Sequence, residues 1–447
     1  MSQEIKYPVA PPEQPPRDIF SGKFDQKDLG LWLTHDPAIF QDPDTDEYFI
    51  YGTDAICQRS KDLIHWDRVG KVVEEPTAES QEWVGTKNIW APDMVKVGDE
   101  YRLYCSNSSF GSQTSCIFTA VSKKPEGPFE PKDCVVKTNE KAPLNAIDAN
   151  IIRDEKNGKM YMVYGSFWGG IYILELDEKT GLAAEEGFGK CIATRPAWLS
   201  GAIEGPYVIY NEKTDYYYLF VSYGSLKSDY QIRVARSKDV LGPYVDFNGR
   251  EMTDTDDPYN QVGQMVFCGY QWSHGVGYMG PGHNSVLHNK EDQWFLVYHI
   301  RQKNFVEDWL EPSTMQIRKI FWTETGWPIV SPEPYAGEVD QEIPLEAFFG
   351  KYERINLVKS LPQGIQTAVP MKINRCEWGD YYESSSIQGN WVYENGKFTI
   401  TYGPHTEECF VTAIWDHERK CPSLGLCGLS QDGVPFIAKR IGDLPER

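Results

Sequence analysis

The sequence lacks the features that mark membrane-bound and exported chains. It contains no run of apolar residues long enough to span a bilayer, so we expect no membrane partner. Its first residues are polar and rich in proline and contain no apolar core, so the sequence carries no signal peptide. We therefore expect the protein either in the cytoplasm or in secreted form with its signal removed.

Basic residues are scarce relative to acidic ones, since 44 Lys and Arg stand against 65 Asp and Glu and give a net charge of −21. Such a chain repels phosphate backbones, so nucleic acid is not an expected partner. The 10 cysteines include no closely spaced pair of the kind that binds metal. Several lie within apolar segments, which indicates buried free thiols and favours a reducing compartment.

One pattern is repeated five times along the chain. Each copy has an opening residue, a short apolar run, a polar loop and a second run rich in aromatic residues. The copy at residues 148–166 is the clearest, because Asn157-Gly158 separates its two runs and favours a hairpin turn. The opening residues, separated by 55, 57, 56 and 78 positions, are Asp36, Ala91, Asp148, Glu204 and Gly282. A repeat of this length built from short strands predicts an all-β fold with a five-bladed β-propeller.

The repeat also divides the chain. A Pro-rich lead-in occupies residues 1–33, and the propeller is predicted for residues 34–343. Short strands and turns continue without the repeat at residues 349–447, which predicts a small accessory domain built as a β-sandwich or barrel. The connection at residues 246–280 is longer than the others and rich in aromatic residues, which favours a role in shaping a site.

Three of the five opening residues are acids, namely Asp36, Asp148 and Glu204. The innermost strands of a propeller line its central channel, so these carboxylates should converge on one cavity. Carboxylates placed in this way repel one another, and packing alone would not favour them. One Asp at such a position could simply cap a turn, but three in equivalent positions indicate a functional site.

Two carboxylates that flank a bond are the working parts of glycoside hydrolysis. One must be protonated to give a proton to the leaving oxygen, and the other must be ionised to activate water. A third acid nearby can raise the pKa of the proton donor by charge repulsion. The same cavity could also belong to a non-catalytic propeller that binds sugars, although a binding module gains nothing from repulsion among carboxylates.

Six motifs resemble glycoside hydrolase family 43, and among its members most closely the α-1,5-L-arabinanases with a C-terminal β domain. The motifs are His35-Asp-Pro-Ala-Ile39, Trp90-Ala-Pro-Asp93, Asp148-Ala-Asn-Ile151, Tyr164-Gly-Ser-Phe-Trp168, Ile203-Glu-Gly-Pro-Tyr207 and Gly280-Pro-Gly-His-Asn-Ser285. This resemblance implies a five-bladed propeller and a mechanism that inverts the configuration at the anomeric carbon.

The resemblance also implies roles for individual residues. Asp36 would be the general base, Glu204 the general acid, and Asp148 the residue that tunes and orients the acid. A calcium ion would lie on the propeller axis with His283 as its protein ligand, although the residues alone favour a hydrogen-bonded inner-strand histidine there. The substrate contacts implied in this way are Trp90, Asn150, Ser166, Phe167, Trp168 and Arg318.

The expected substrate is arabinan or an arabino-oligosaccharide, cleaved at α-1,5-linked L-arabinofuranosyl bonds by endo or exo action. An α-L-arabinofuranosidase or β-xylosidase of the same family would carry the same three acids, so both alternatives stay open. Trp90 could instead fill the interface between two blades, and Arg318 could form a salt bridge at such an interface. The oligomeric state is left open.

Overall fold

The computed structural model of the protein is built almost wholly of β-strands. The residues that the structure describes are 4–12, 34–259, 261–303, 313–362, 364–376, 379–384, 387–394 and 397–443. Most of the predicted lead-in, residues 1–3 and 13–33, lies outside them. Within the described ranges, no helix is long and apolar enough to cross a membrane.

Five antiparallel sheets follow one another along the chain, which confirms the predicted five-bladed propeller. The first blade contains β1 (Ala38–Gln41), β2 (Tyr48–Gly52), β3 (Ile56–Ser60) and β4 (Trp66–Lys71). Helix α1 (Ala78–Val84) precedes the second blade, which contains β5 (Trp90–Val97), β6 (Glu100–Asn107), β7 (Ser115–Ser122) and β8 (Glu130–Thr138). The third blade contains β9 (Asn150–Arg153), β10 (Met160–Tyr164), β11 (Ile171–Leu176) and β12 (Lys190–Ala193).

The last two blades carry the longest inner strands. The fourth contains β13 (Ile203–Asn211), β14 (Tyr216–Tyr223), β15 (Gln231–Ser237) and β16 (Gln264–Phe267). The fifth contains β17 (Tyr270–Gln271), β18 (Tyr278–His288), β19 (Trp294–Gln302), β20 (Thr314–Trp322) and β21 (Pro328–Val330). Short 3-10 turns lie at Thr53–Ala55, Ala197–Leu199 and Leu345–Phe348.

The second strand of each blade is buried on both faces. All positions of β2 and nearly all of β14 are buried, and the latter reads Tyr-Tyr-Tyr-Leu-Phe-Val-Ser-Tyr. This burial follows from the stacking of blades face to face around the axis, which leaves a central strand without a solvated side. Aromatic and β-branched residues fill such positions because they pack well on a pleated surface.

Side chains of the innermost strands tie neighbouring blades together. These side chains lie two residues after Ala91, Asp148 and His283, and each accepts a backbone N–H from the next blade. The bonds run from Ile151 N–H to Asp93 Oδ2 at 2.6 Å, from Val208 N–H to Asn150 Oδ1 at 2.8 Å, and from Ile39 N–H to Ser285 Oγ at 3.1 Å. The last bond joins the fifth blade to the first and closes the ring.

The expectation that residues 246–280 form an insert that shapes the site is wrong for much of its length. Strand β16 within it pairs with β15 and completes the fourth blade. Strand β17 pairs in parallel with β23 (Gln366–Thr367) of the C-terminal region. Phe267, Tyr270 and Trp272 are buried because this edge of the propeller is covered, as the packing of Phe267 in one cluster with Ile437 shows.

The C-terminal region forms a closed barrel of eight strands, one of the two architectures predicted for it. Its strands are β22 (Gly350–Asn356), β24 (Val369–Cys376), β25 (Gly379–Ser384), β26 (Ile387–Glu394), β27 (Lys397–Tyr402), β28 (His405–Asp416), β29 (Cys421–Ser430) and β30 (Pro435–Gly442). A buried ammonium group joins it to the propeller, since Lys439 Nζ lies 2.8 Å from Glu333 Oε1 and 2.9 Å from Asp416 Oδ1.

Candidate active site

Four residues at the inner ends of the blades share an uncommon backbone conformation. Asp36, Asp148, Gly205 and His283 have φ of 53°, 62°, 55° and 46°. Positive φ is rare for residues other than glycine, so its recurrence at one place in four of the five repeats marks equivalent positions. The opening residues predicted for the fourth and fifth blades, Glu204 and Gly282, are therefore each wrong by one position.

A bulge lies beside this position in the fourth and fifth blades, as it does in the second. The register of β13 with β14 changes between Glu204 and Tyr207, and that of β18 with β19 changes between Gly282 and Ser285. A bulge places an extra residue in one strand and re-aims the side chains next to it. Glu204 lies one position before Gly205, and its carboxyl group contacts Ser166 and Tyr230.

A second set of residues, at the ends of the second strands, supports this ring. Two of them accept the backbone N–H of an opening residue through a side-chain oxygen: Ser106 Oγ from Asp148 at 2.9 Å and Ser222 Oγ from His283 at 2.7 Å. His299 Nδ1 accepts the N–H of Asp36 at 3.2 Å in the same way. The strand ends therefore fix the strained backbone that carries the acids.

Asp36 lies among donors and imidazole rings. Its Oδ2 accepts a hydrogen bond from Thr53 Oγ1 at 2.6 Å, and its Oδ1 lies 3.1 Å from His283 Nδ1. Burial by itself would raise the pKa of Asp36, but His283 and His35 hold that pKa well below its usual range. This carboxyl group is therefore ionised and can accept a proton.

Both carboxyl oxygens of Glu204 accept a hydrogen bond. Ser166 Oγ donates to Oε2 at 2.8 Å, and the Tyr230 hydroxyl donates to Oε1 at 2.9 Å. Burial raises the pKa of Glu204, and the charge of Asp36 adds to the rise, so that the pKa stays above its ordinary value although both hydrogen bonds oppose this. The group is thus favoured in the protonated form that a proton donor needs.

Asp148 interacts electrostatically with both of the other acids. Its Oδ2 accepts the backbone N–H of Gly205 at 3.3 Å. Burial raises the pKa of Asp148, and the charges of Glu204 and Asp36 raise it further. The two carboxyl groups of Asp148 and Glu204 therefore do not ionise independently, because each charge disfavours the other.

His283 faces all three carboxyl groups. Burial would lower its pKa, but Asp36, Asp148 and Glu204 together raise it. The cluster of acids therefore attracts positive charge at the axis, as either a protonated imidazole or a bound cation. Within the described residues, His35, Asp36 and His299 also bring ligand atoms within 4.8 Å of one another.

Exposed aromatic side chains lie beside these acids. Trp168 is 44% exposed, and it and Phe167 have φ of 41° and 51° in the loop that follows β10. The N–H of Phe167 donates to the carbonyl of Ile203 at 2.7 Å, so the loop is attached to the strand that carries Glu204. Trp90 is partly exposed at the start of β5. These rings are available to contact a ligand above the acids.

Comparison with known proteins agrees with this geometry. Residues 31–328 match the glycosyl hydrolases family 43, and residues 332–438 match a C-terminal lipocalin-like domain named after the same family. The chain belongs to glycosyl hydrolase family 43.

Relatives match this family-43 chain over both domains. The extracellular endo-α-(1→5)-L-arabinanase of Thermotoga petrophila is 33% identical over 84% of this chain and 86% of its own length. The extracellular endo-α-(1→5)-L-arabinanase 2 of Bacillus subtilis is 30% identical over 91% of this chain and 92% of its own. A crystal structure of the T. petrophila endo-1,5-α-L-arabinanase with Tris has a TM-score of 0.82 at 30% identity and covers 92% of this chain and 98% of that one.

Two of the residues expected to bind substrate in this hydrolase have other partners. Arg318 is fully buried, and its guanidinium donates to the hydroxyls of Tyr298 at 2.6 Å and Tyr270 at 2.7 Å and to the carbonyl of Ser331 at 2.9 Å. The buried amide of Asn150 bonds within the protein, where it ties blades together. The structure therefore argues against substrate contact at both positions, since the side chains already serve the packing of the blades.

Sequence reasoning did not assign a role to several residues that contact the acids. Thr53 and His299 end the second run of residues in the first and fifth copies of the sequence repeat, so their shared position was a usable signal. Tyr230 follows a loop of the fourth blade and belongs to none of the six motifs. Its approach to Glu204 arises only when the blades are assembled.

Proposed function

We propose that this family-43 hydrolase cleaves α-1,5-linked L-arabinofuranosyl bonds of arabinan and arabino-oligosaccharides with inversion, and that it acts on internal bonds. The observation that carries this proposal is the cluster of three carboxyl groups at the propeller axis, of which Asp36 and Asp148 are buried and Glu204 is partly buried. Relatives that match over both domains are named endo-arabinanases, which supports the choice of bond and the endo mode. Both are also named extracellular, which supports a site of action outside the cell.

The division of labour follows the environment of each acid. Asp36, held ionised, takes a proton from the attacking water, while Glu204, held protonated, gives one to the leaving oxygen. Asp148 supports the acid, because the two carboxyl groups do not ionise independently and a charge on either one raises the pKa of the other. An inverting enzyme needs room for water between base and acid, typically about 6.5–9.5 Å between the carboxyl groups.

Substrate contacts are proposed for the partly exposed rings. Trp90, Phe167 and Trp168 would bind the sugar chain through their apolar faces. Ser166 would act through its hydrogen bond to Glu204 rather than on the sugar directly. A Trp168→Ala variant should raise KM for linear arabinan more than it lowers kcat, and an unchanged KM would remove Trp168 from the binding surface.

The reaction is tested by a time course on linear α-1,5-arabinan, with products separated by length and their anomeric configuration followed by NMR. Endo action predicts a spread of oligomers early in the reaction, with the β-anomer formed first. A single short product from the start would show exo action, and activity on aryl arabinofuranosides or xylosides alone would move the chain to another specificity. Arabinanase activity in the culture medium of the source organism rather than in cell lysate would support the extracellular location.

The assignment of base and acid is tested by Asp36→Ala and Glu204→Ala. Each change should lower kcat about 10²–10⁴-fold, the usual range for loss of a general acid or base. Azide should restore part of the activity of the Asp36 variant, because a small anion can replace the attacking water. If either variant kept full activity, the assigned role would be wrong.

We also propose that a calcium ion binds on the axis next to His283. The support for this is electrostatic, because the three carboxyl groups raise the pKa of His283 and so attract positive charge. Carboxylate oxygen suits a hard cation, and water molecules would complete its shell because one imidazole is a poor calcium site alone. When bound, the ion supplies positive charge that offsets repulsion among the carboxylates.

Metal analysis tests this proposal without an activity assay. Protein dialysed against calcium and then against metal-free buffer should retain about one calcium per chain, and His283→Ala should retain none. A chelator should lower the thermal midpoint of the wild-type protein but not of the variant, because only a bound ion stabilises the fold. Wild-type protein without retained metal and without a response to chelator would overturn the proposal.

A further inference from the structure

Tyr230 is buried at the active site and contacts one of the three acids. It lies between the loop that follows β14 and the start of β15, and its side chain is 1% exposed. Its hydroxyl donates to Glu204 Oε1 at 2.9 Å. A hydroxyl can both donate and accept, so this bond can persist whether the carboxyl group is protonated or ionised.

The ring of Tyr230 is held on both of its sides. A Cβ atom added at Gly282 would lie 2.0 Å from Tyr230 Cε1, so the ring packs directly on the backbone of β18. On its other side the ring stacks on His299, with centroids 5.9 Å apart and planes 14° apart. The orientation of the hydroxyl is therefore set by two different strands of the fifth blade.

His299 connects this ring to the opposite acid. Its Nδ1 accepts the backbone N–H of Asp36 at 3.2 Å and lies 3.5 Å from Asp36 Oδ1. The ring of His35 stacks on it as well, at 4.3 Å between centroids and 27° between planes. A row of three rings, His35, His299 and Tyr230, therefore runs between Asp36 and Glu204.

We propose that Tyr230 is a positioning residue that fixes the carboxyl group of Glu204 at a set distance from Asp36. Its hydroxyl determines where the proton donor lies, and its ring supports the imidazole that holds the backbone of the base. An inverting hydrolase depends on this distance, because the gap between its two carboxyl groups must admit both the sugar and a water molecule. This inference rests on the proposed function, since it assigns Glu204 and Asp36 as acid and base.

Two substrates separate the parts played by hydroxyl and ring. Arabinohexaose needs both proton donation to its leaving group and a base, whereas a 2,4-dinitrophenyl α-1,5-arabinotrioside needs only the base, because its leaving group departs without a proton. Tyr230→Phe keeps the ring and removes the hydroxyl. It should lower kcat on arabinohexaose about 10-fold or more, a part of what a general acid contributes, and leave KM nearly unchanged. Its kcat on the dinitrophenyl substrate should change less than about threefold.

Tyr230→Leu removes the ring as well, so it should also lower kcat on the dinitrophenyl substrate. Tyr244→Phe is the matched control, because Tyr244 is equally buried in the same blade and donates to the carbonyl of Val240 at 2.8 Å. The control variant should lose a similar amount of thermal stability while both rates stay near wild type. A loss confined to stability in Tyr230→Phe would therefore contradict the proposal.

The outcomes also distinguish this inference from the function on which it rests. Wild-type protein inactive on both arabinohexaose and the dinitrophenyl substrate would overturn the proposed function. An active wild type with equal losses on the two substrates in Tyr230→Phe would overturn only the positioning role. Selective loss on arabinohexaose in Tyr230→Phe, with loss on both substrates in Tyr230→Leu, supports it.

Discussion

Replacing Lys439 with Met should weaken the attachment of the barrel to the propeller. The ammonium group of Lys439 is fully buried and lies 2.8 Å from Glu333, 2.9 Å from Asp416 and 3.2 Å from Glu418. Glu333 precedes the barrel in the chain, whereas the other two acids belong to the barrel itself. Met matches Lys in shape but carries no charge, so Lys439→Met leaves buried carboxyl groups without their shared partner.

The size of the effect follows from the burial. Removing one partner of a buried ion pair costs about 3–5 kcal/mol, because an uncompensated charge stays in the interior. Asp416 keeps a weaker partner, since Arg419 Nη1 lies 3.5 Å from its Oδ2. We therefore expect a loss of about 3 kcal/mol or slightly more in the free energy of unfolding, the lower end of that range.

The loss should grow as the pH rises. Burial raises the pKa of Glu418 to about 7, while Lys439 acts to lower it. A carboxyl group whose pKa is raised on folding contributes most stability at low pH, and this contribution disappears as the pH rises through its folded pKa. Without Lys439, ionisation of Glu418 costs more, so the deficit of the variant should be larger at pH 8 than at pH 6.

Urea unfolding at these two pH values, followed by fluorescence, measures the change. Lys213→Met is the control, because its pair with Asp292 is exposed and should contribute less than about 1 kcal/mol. Adding Glu333→Gln to Lys439→Met should recover part of the loss, since one unpaired charge is then removed. Equal stability of the two Lys variants, or a deficit that shrinks at higher pH, would refute the reasoning.

Three further results are expected from the same structure. The pH profile of kcat/KM should be bell-shaped, because activity needs Asp36 ionised and Glu204 protonated. Its acid limb should lie at low pH and its alkaline limb above the ordinary pKa range of Glu. A flat profile from pH 4 to pH 9 would contradict this. Gly282→Ala should lower kcat at least as much as loss of the Tyr230 hydroxyl, since a Cβ there would displace the ring; rates and near-UV circular dichroism measure this. Deleting residues 345–447 should give insoluble protein, because the fifth blade would expose its covered edge, and a soluble, active remainder would refute this.

The repeat could be predicted because local residue patterns determine its strands and turns. Turn pairs such as Asn157-Gly158 and alternating aromatic runs determine the strands, and their spacing determines the number of blades. Convergence of Asp36, Asp148 and Glu204 followed from the same spacing. The offset of Glu204 by one residue from the position of Asp36 and Asp148 could not be predicted, because positive φ identifies the equivalent positions and the sequence does not show φ.

Residues that act through tertiary contacts were harder to predict. Arg318 was expected near the substrate, yet strand β20 directs it to Tyr298 and Tyr270, away from the acids. A side-chain direction in a strand reverses with each residue, so a small error in register changes the face. Tyr230 shows the opposite error, since no local pattern distinguishes a loop tyrosine that bonds to a catalytic acid from one that packs in a core.

The different behaviour of Asp36 and Asp148, which occupy equivalent positions in the repeat, comes from the groups around them. Burial would raise the pKa of Asp36, but His283 and His35 beside it lower that pKa. Burial and the charges of Glu204 and Asp36 raise the pKa of Asp148. Equivalent positions in a repeat therefore give carboxyl groups with opposite pKa shifts only when their surroundings differ. The propeller brings the carboxyl groups together, and the different groups around each of them give them different pKa values.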